Sequence, residues 1–343
     1  MSGLAVPLSS SSSLPGSPIA APPRPPAAER DVLRQVSARL TQVRAGFVAR
    51  GTAAARGVLA AALTGGGPLV PKPLFQRLFG EPALSEVLAQ RTMLVTGASS
   101  GIGRATALLA ARAGAELVLV ARSLDSLTEL VREIEQIGSR ARAYPADLAS
   151  QSSSDALLAQ LASDKVAVDV LVNSAGRSIR RLVADASDRV HDYERTMAIN
   201  YIGAVRLTLG LLPGMRERKR GHVINVSSSG VLVGAPMFSA YIASKAALDS
   251  FTRIAATEAR GHGIRFTNIH MPLVRTAMVM PTPVYHRAPA LTVEKAAELV
   301  LRPLTTGEVQ IGTQLGALIN LAHAVAPRAV QGLFGLGQQM LRE

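Results

Sequence analysis

Tyr241 and Lys245 stand four residues apart in Tyr-Ile-Ala-Ser-Lys, a spacing that puts a phenol and an ammonium on one face of a helix. A phenol titrating near its ordinary value of about 10 is a poor proton donor or acceptor at neutral pH, and an adjacent cation favours its ionised form. Thirteen residues before Tyr241 comes Ser228, just past the apolar run 222–226. A tyrosine–lysine pair alone is weakly specific. Joined to a serine and to a glycine-rich segment far upstream, it is poorly explained by chance.

That segment is Thr96-Gly97-Ala98-Ser99-Ser100-Gly101-Ile102-Gly103, which follows an apolar strand and opens an Ala/Leu-rich helix. Glycines there let the backbone turn tightly and approach a pyrophosphate, whose charge meets the helix-terminal N–H groups. The same residues match the strand–turn–helix elbow of serine hydrolases, with Ser99 as nucleophile. The third glycine and the position on the first strand of a βαβ unit favour the dinucleotide. The second strand ends at Ala121-Arg122-Ser123, where an NAD site usually carries an acidic residue for the ribose hydroxyls. A guanidinium binds a 2′-phosphate that a carboxylate would repel, so NADP(H) is the expected cofactor, with Arg104 as a second candidate contact.

The elements that must position these groups are short apolar strands alternating with helices. Strands are expected at 92–95, 116–120, 141–145, 168–172, 222–226 and 264–270, with a last one near 308–312. Ser123 caps a helix bearing Leu127, Leu130, Val131, Ile134 and Ile137. Such alternation predicts an α/β fold with a doubly wound parallel sheet covered by helices on both faces. This dinucleotide-binding region is expected over 88–312. Before it, 1–28 is a Ser/Pro/Ala-rich leader expected to be disordered, and 29–87 combines a helical pattern with a Pro/Gly linker around Gly65–Gly67. After it, 313–343 reads as an amphipathic tail with Leu315, Leu318, Leu321, Val325, Leu333 and Leu336.

In order, Thr96–Gly103, Asp147, Asn173-Ser174-Ala175-Gly176, Asn200, Ser228, Tyr241 and Lys245 resemble the pattern of the short-chain dehydrogenase/reductase family, whose members are single-domain Rossmann folds. The resemblance covers about 90–312 and implies hydride transfer with NADP(H). It implies Tyr241 as general acid, Ser228 orienting a carbonyl oxygen, Lys245 on the nicotinamide ribose, and Asn200 sustaining a proton relay. The implied cofactor contacts are Gly97, Ser99, Ser100, Gly101, Ile102, Gly103, Arg122, Ser123, Asp147, Asn173, Ala175, Gly176, Tyr241, Lys245 and Thr276. Ser174 departs from the family, which usually has Asn there. Two segments, Asn173–Arg206 and Met271–Met278, are similar to the bacterial aldehyde-forming fatty acyl-CoA reductases of wax-ester synthesis. That branch shares Met271-Pro272 where most of the family has Pro-Gly. The substrate implied is a long-chain fatty acyl-CoA; a ketone or preformed aldehyde is the alternative.

Arg177, Arg180 and Arg181 follow the fourth strand of the sheet at its ligand-binding edge, and are candidates for the phosphates of coenzyme A or for acidic neighbours such as Asp185 and Asp188. Met271 and the apolar segment to Met280 are candidates for an acyl pocket or for ordinary core. Composition excludes other chemistry. The 343 residues include no Cys, so thiol catalysis and thiolate metal sites are out, and six histidines form no i,i+4 pair, so no metal is expected. The net charge of +13 is scattered arginine with 3% aromatics, and nucleic acid is not expected as a partner. The dense run Arg216, Arg218, Lys219 and Arg220 is read as a solvated surface loop. No apolar stretch reaches the ~18 residues of a membrane span, so the expected location is cytoplasmic, with peripheral lipid contact through the helical ends. A homo-oligomer is implied by the resemblance.

Overall fold

The computed structural model describes residues 82–280, 285 and 288–332, with the backbone of 66–68. All lie in the unit Thr52–Glu343. The leader 1–28, the helical pattern 29–63 and residues 333–343 fall outside the described residues. In chain order the elements are β1 (Gly66–Pro68), α1 (Leu84–Leu88), β2 (Thr92–Thr96), α2 (Gly101–Arg112), β3 (Glu116–Ala121), α3 (Leu124–Gln136) and β4 (Ala141–Pro145). Then come α4 (Gln151–Ser163), β5 (Val170–Asn173), α5 (Val190–Met197), a π turn (Ala198–Ile202), α6 (Gly203–Glu217), β6 (Gly221–Ser228) and α7 (Gly230–Val233). The last are α8 (Ser239–Glu258), β7 (Ile264–Met271), α9 (Val293–Thr306), β8 (Gln310–Thr313) and α10 (Gln314–Val325).

The strands are apolar on both sides of the pleat because both sides are covered. Met93, Val95, Leu117 and Leu119 face one cluster with Ala107 and Ala110 of α2, Leu127 and Leu130 of α3, and Val300 and Leu304 of α9. Their neighbours Leu94, Val118, Val120 and Leu171 face the other with Leu157 of α4 and Leu207 and Met215 of α6. The sheet order is β1-β8-β7-β6-β5-β2-β3-β4, with β2 to β8 mutually parallel. The order reverses between β2 and β5, the switch point at which ligands of open α/β sheets bind.

Two expectations are corrected. The linker residues Gly66–Pro68 form an antiparallel edge strand, with Gly66 opposite Thr313 and Pro68 opposite Ile311. The open edge of β8 offers unpaired backbone groups, and an edge position tolerates proline. The basic run is not all solvated. Arg220 grips the buried Asp169 with two bonds of 2.9 Å, and Arg218 donates to the Val168 carbonyl at 2.8 Å, which ends α6 and starts β5.

Candidate active site

The glycine segment takes the conformation its chemistry requires. Gly97 has φ +66°, and a Cβ there would lie 2.9 Å from the Ala175 Cα, so β2 and the turn after β5 can meet only over a bare backbone. A Cβ on Gly103 would stand 2.3 Å from the Gly97 carbonyl oxygen, so the third glycine is what lets α2 pack on its strand. The Thr96 hydroxyl accepts from the Ser174 and Ala175 N–H groups, each at 3.0 Å, and donates to the Val172 carbonyl. Thr96 is a bracing residue that motif reading passed over, because only its side-chain contacts distinguish it from any strand-end threonine.

These turns border a cavity of about 670 Å³. Its walls include Gly97, Ser99, Ser100, Gly101, Ile102, Gly103, Arg122, Asp147, Ala175, Gly176 and Thr276, as well as Ala121 and Arg177. Several expected contacts lie elsewhere. Ser123 caps α3, accepting from the Ser126 N–H at 3.3 Å. Asn173 is buried and donates to the Asn225 carboxamide at 2.8 Å, bracing β5 to β6 behind the cavity. Arg104 is paired with Glu133 of α3. Ser99 lines the cavity with no histidine bonded to it among the described residues, and His222 and His270 are turned to Thr267 and Asp249. The hydrolase reading loses its base.

Tyr241 and Lys245 do not line that cavity; Gly176, on its wall, adjoins Asn200 and Lys245. A Cβ on Gly176 would be 3.0 Å from the Asn200 Oδ1 and 3.7 Å from the Lys245 Nζ. Asn200 lies in the π turn, where the extra residue re-aims its side chain inward. Its Nδ2 donates to the Arg177 carbonyl and the Ser244 hydroxyl, both at 2.9 Å, and its Oδ1 accepts from the Arg177 N–H at 2.8 Å. Lys245 is buried and donates to the Val226 carbonyl at 2.7 Å.

Burial holds the Tyr241 phenol above its ordinary value, and a hydrogen bond with Ser228 works the other way. Burial also pushes Lys245 down to about 8, against the pull of the Asp249 carboxylate. The phenol therefore carries its proton at neutral pH, which suits a donor. The sequence expectation of a cation-lowered phenol is displaced by desolvation, a quantity that spacing does not reveal.

The arginine cluster is divided. Arg177 and Arg180 are exposed, whereas Arg181 donates to the buried Asp192 at 3.2 Å, which Arg189 and Arg195 also hold. Asp192 thus takes the anchoring role expected of Asp185 or Asp188. The Met271 side chain is 5% exposed, packed in the core beside Val274, while its carbonyl accepts from the Ser229 N–H at 2.9 Å. It braces the backbone after Ser228, and its side chain belongs to the core.

A glycine turn and cavity at a sheet switch point, next to a half-buried hydroxyl pair and a buried lysine, define a dinucleotide-binding oxidoreductase. Residues 91–284 match the family model for short chain dehydrogenase. The chain belongs to the short-chain dehydrogenase family. It is 47% identical over 257 residues to a fatty acyl-CoA reductase of Acinetobacter baylyi, covering 75% of this chain and 87% of that protein. A fatty acyl-CoA reductase of Mycobacterium tuberculosis is 42% identical over 260 residues, covering 75% and 88%. Among solved structures, one described as an NAD(P)-dependent gluconate 5-dehydrogenase of Beutenbergia cavernae, with NADP bound at low occupancy, superposes with TM-score 0.58 at 31% identity, covering 64% of this chain and 90% of that one.

Proposed function

We propose that the protein reduces the thioester carbonyl of a long-chain fatty acyl-CoA with NADPH, giving a fatty aldehyde and free CoA. The observation that carries the reading is a half-buried Ser228–Tyr241 hydroxyl pair, one helical turn from the buried Lys245, in a chain with no cysteine. Without a thiol, no acyl-enzyme of the aldehyde dehydrogenase type forms, so the thioester is reduced directly. The likeness to two fatty acyl-CoA reductases supports this substrate over other carbonyl compounds.

Gly97, Gly101 and Gly103 would hold the pyrophosphate. Arg122, next to Ala121, would meet a 2′-phosphate, and Asp147 the adenine side. Lys245 and Asn200 would fix the ribose end. The dinucleotide supplies the hydride that adds to the carbonyl carbon. Ser228 donates a hydrogen bond to the carbonyl oxygen, and Tyr241 gives that oxygen its proton, so negative charge does not build up unpartnered. The hemithioacetal then loses its C–S bond, the sulfur leaving as thiol and the carbon remaining as aldehyde. Arg177 and Arg180, exposed after β5, would contact the phosphates of CoA.

Palmitoyl-CoA and NADPH should yield one free thiol per NADPH oxidised, read with a thiol reagent, together with hexadecanal. Intact thioester after long incubation with folded protein rejects the proposal. NADPH oxidation on ketones or aldehydes alone makes the protein a carbonyl reductase without thioester cleavage. Lipid contact is proposed through α10, whose Leu318, Leu321 and Val325 are exposed at i, i+3 and i+7; it predicts flotation with liposomes. Self-association is proposed through α6 and α8, where Leu209 and Ile254 are exposed, and is read by light scattering. No helix among the described residues is long and apolar enough to cross a membrane.

A further inference from the structure

Around Asp192 stands more positive charge than one carboxylate needs. Asp192 is 2% exposed, and its Oδ2 accepts from Arg181 Nε at 3.2 Å and from Arg189 Nε at 3.4 Å. Its Oδ1 accepts from Arg195 Nη2, with His191 Nε2 at 3.5 Å from the same oxygen. Arg181 alone balances the carboxylate, so Arg189 and Arg195 bring charge in excess. Elsewhere in the fold Arg220 answers the buried Asp169 through both Nε and Nη2, each at 2.9 Å, and so spends its planar fork on that carboxylate. At Asp192 no fork is spent. Each arginine gives one N–H, and neither Arg189 nor Arg195 has another partner among the described residues.

Arg189 and Arg195 lie three residues before and after Asp192, so all three share one helical face. Their side chains are 35% and 51% exposed, and their remaining N–H groups reach solvent while the carboxylate that pins them does not. Arg189 stands at the start of α5, where the helix dipole disfavours a cation, so helix stability does not account for it. The exposed Asp185, Asp188 and Glu194 make no ion pair with either arginine among the described residues. Arg195 is on the cavity wall, with Glu194 and Arg177. On the other side, the Arg181 N–H donates to the Met237 carbonyl at 2.7 Å, which ties the cluster to the loop that leads into α8 and Tyr241. In the proposed binding mode the dinucleotide's phosphates are seated at the glycine turn and at Arg122. The phosphates left to place belong to the other substrate.

A guanidinium pinned through one N–H keeps its other donors in a fixed plane, and two oxygens of a phosphate match that geometry. We infer that Arg189 and Arg195, pinned by Asp192, form a phosphate cradle beside the cavity that holds the coenzyme A part of the substrate, and so set the preference for a CoA thioester over the same acyl group on a phosphate-free thiol. The inference rests on the acyl-CoA reading and adds to it the residues that recognise the carrier.

The test compares wild type with Arg189→Gln, Arg195→Gln and the double variant, with thermal unfolding to verify that each folds. Binding of free CoA, and of pantetheine, which carries no phosphate, is followed by calorimetry with saturating NADP+. KM and kcat are measured on the CoA and pantetheine thioesters of one fatty acid. Wild type should bind CoA about tenfold or more tighter than pantetheine, the worth of charge-assisted contacts. Each single variant should weaken CoA by about tenfold and raise KM for the CoA thioester to match, with pantetheine binding and NADPH affinity moved by less than about twofold. Unchanged CoA affinity in the variants, or equal losses for CoA and pantetheine, would mean that the arginines only hold α5 to Asp192, and overturns the inference. A loss confined to NADPH also overturns it, by giving the cradle to the dinucleotide. The two readings fail separately. CoA binding that depends on Arg189 and Arg195 without thioester reduction rejects the acyl-CoA reaction alone; thioester reduction by the variants at the wild-type KM rejects the cradle alone.

Discussion

Lys245→Met should remove catalysis while relieving the folded protein of a buried charge. Lys245 titrates near 8 in the fold against an ordinary 10.5. Between those values the unfolded chain holds a proton that the folded chain has released, so this group makes stability rise with pH across that window and penalises the fold below it. The full shift corresponds to about 3 kcal/mol at pH 7, since each pH unit is worth about 1.4 kcal/mol. Methionine of similar length removes that penalty but leaves the Val226 carbonyl without its donor and Asp249 without its cation, which together return about 1–3 kcal/mol. The net change at pH 7 is therefore small, and the informative quantity is its pH dependence. By pH 9.5 the wild type has recovered about 2 kcal/mol that the variant never lacked. Urea unfolding of both proteins at pH 7 and pH 9.5 measures this directly. The stability difference, variant minus wild type, should fall by about 2 kcal/mol between the two conditions. A difference that stays constant would show that Lys245 is not a desolvated ammonium, and the account of the site's electrostatics would fail with it.

His222, buried and held neutral with its titration pushed down to about 3, must gain a proton on acid unfolding. Its ordinary value is 6.5, so it costs the fold about 2 kcal/mol between pH 7 and pH 5; His222→Gln should flatten that part of the urea-midpoint profile. Gly103→Ala drives a methyl into the Gly97 carbonyl, and the overpacking should cost about 1–3 kcal/mol with a Tm fall of roughly 2–4 °C per kcal/mol. Its NADPH affinity, measured by fluorescence titration, should fall with it. Arg122→Ala should weaken NADPH by about 10- to 100-fold, the worth of a charge-assisted pair, and leave NADH unchanged; equal losses for both coenzymes would place the 2′-phosphate elsewhere.

The family, the parallel sheet and the glycine turn were legible in the sequence because they follow from local rules. Strands covered on both faces must be apolar on both faces, and a backbone that meets another backbone at Gly97 or Gly103 tolerates no side chain. Strand positions were legible to within a few residues, as with β5 and β8, where hydrogen-bonded neighbours and not composition set the ends. What the sequence could not decide is which polar side chain each arginine, asparagine or histidine meets. Arg181 goes to Asp192 and not outward, Asn173 goes to Asn225, and Gly66–Pro68 turns from linker to strand because β8 presents an open edge. Residue type and spacing specify what a group is able to do. Burial and partners elsewhere in the chain, as with Ser228 for Tyr241, specify its charge state, because desolvation depends on everything folded around it.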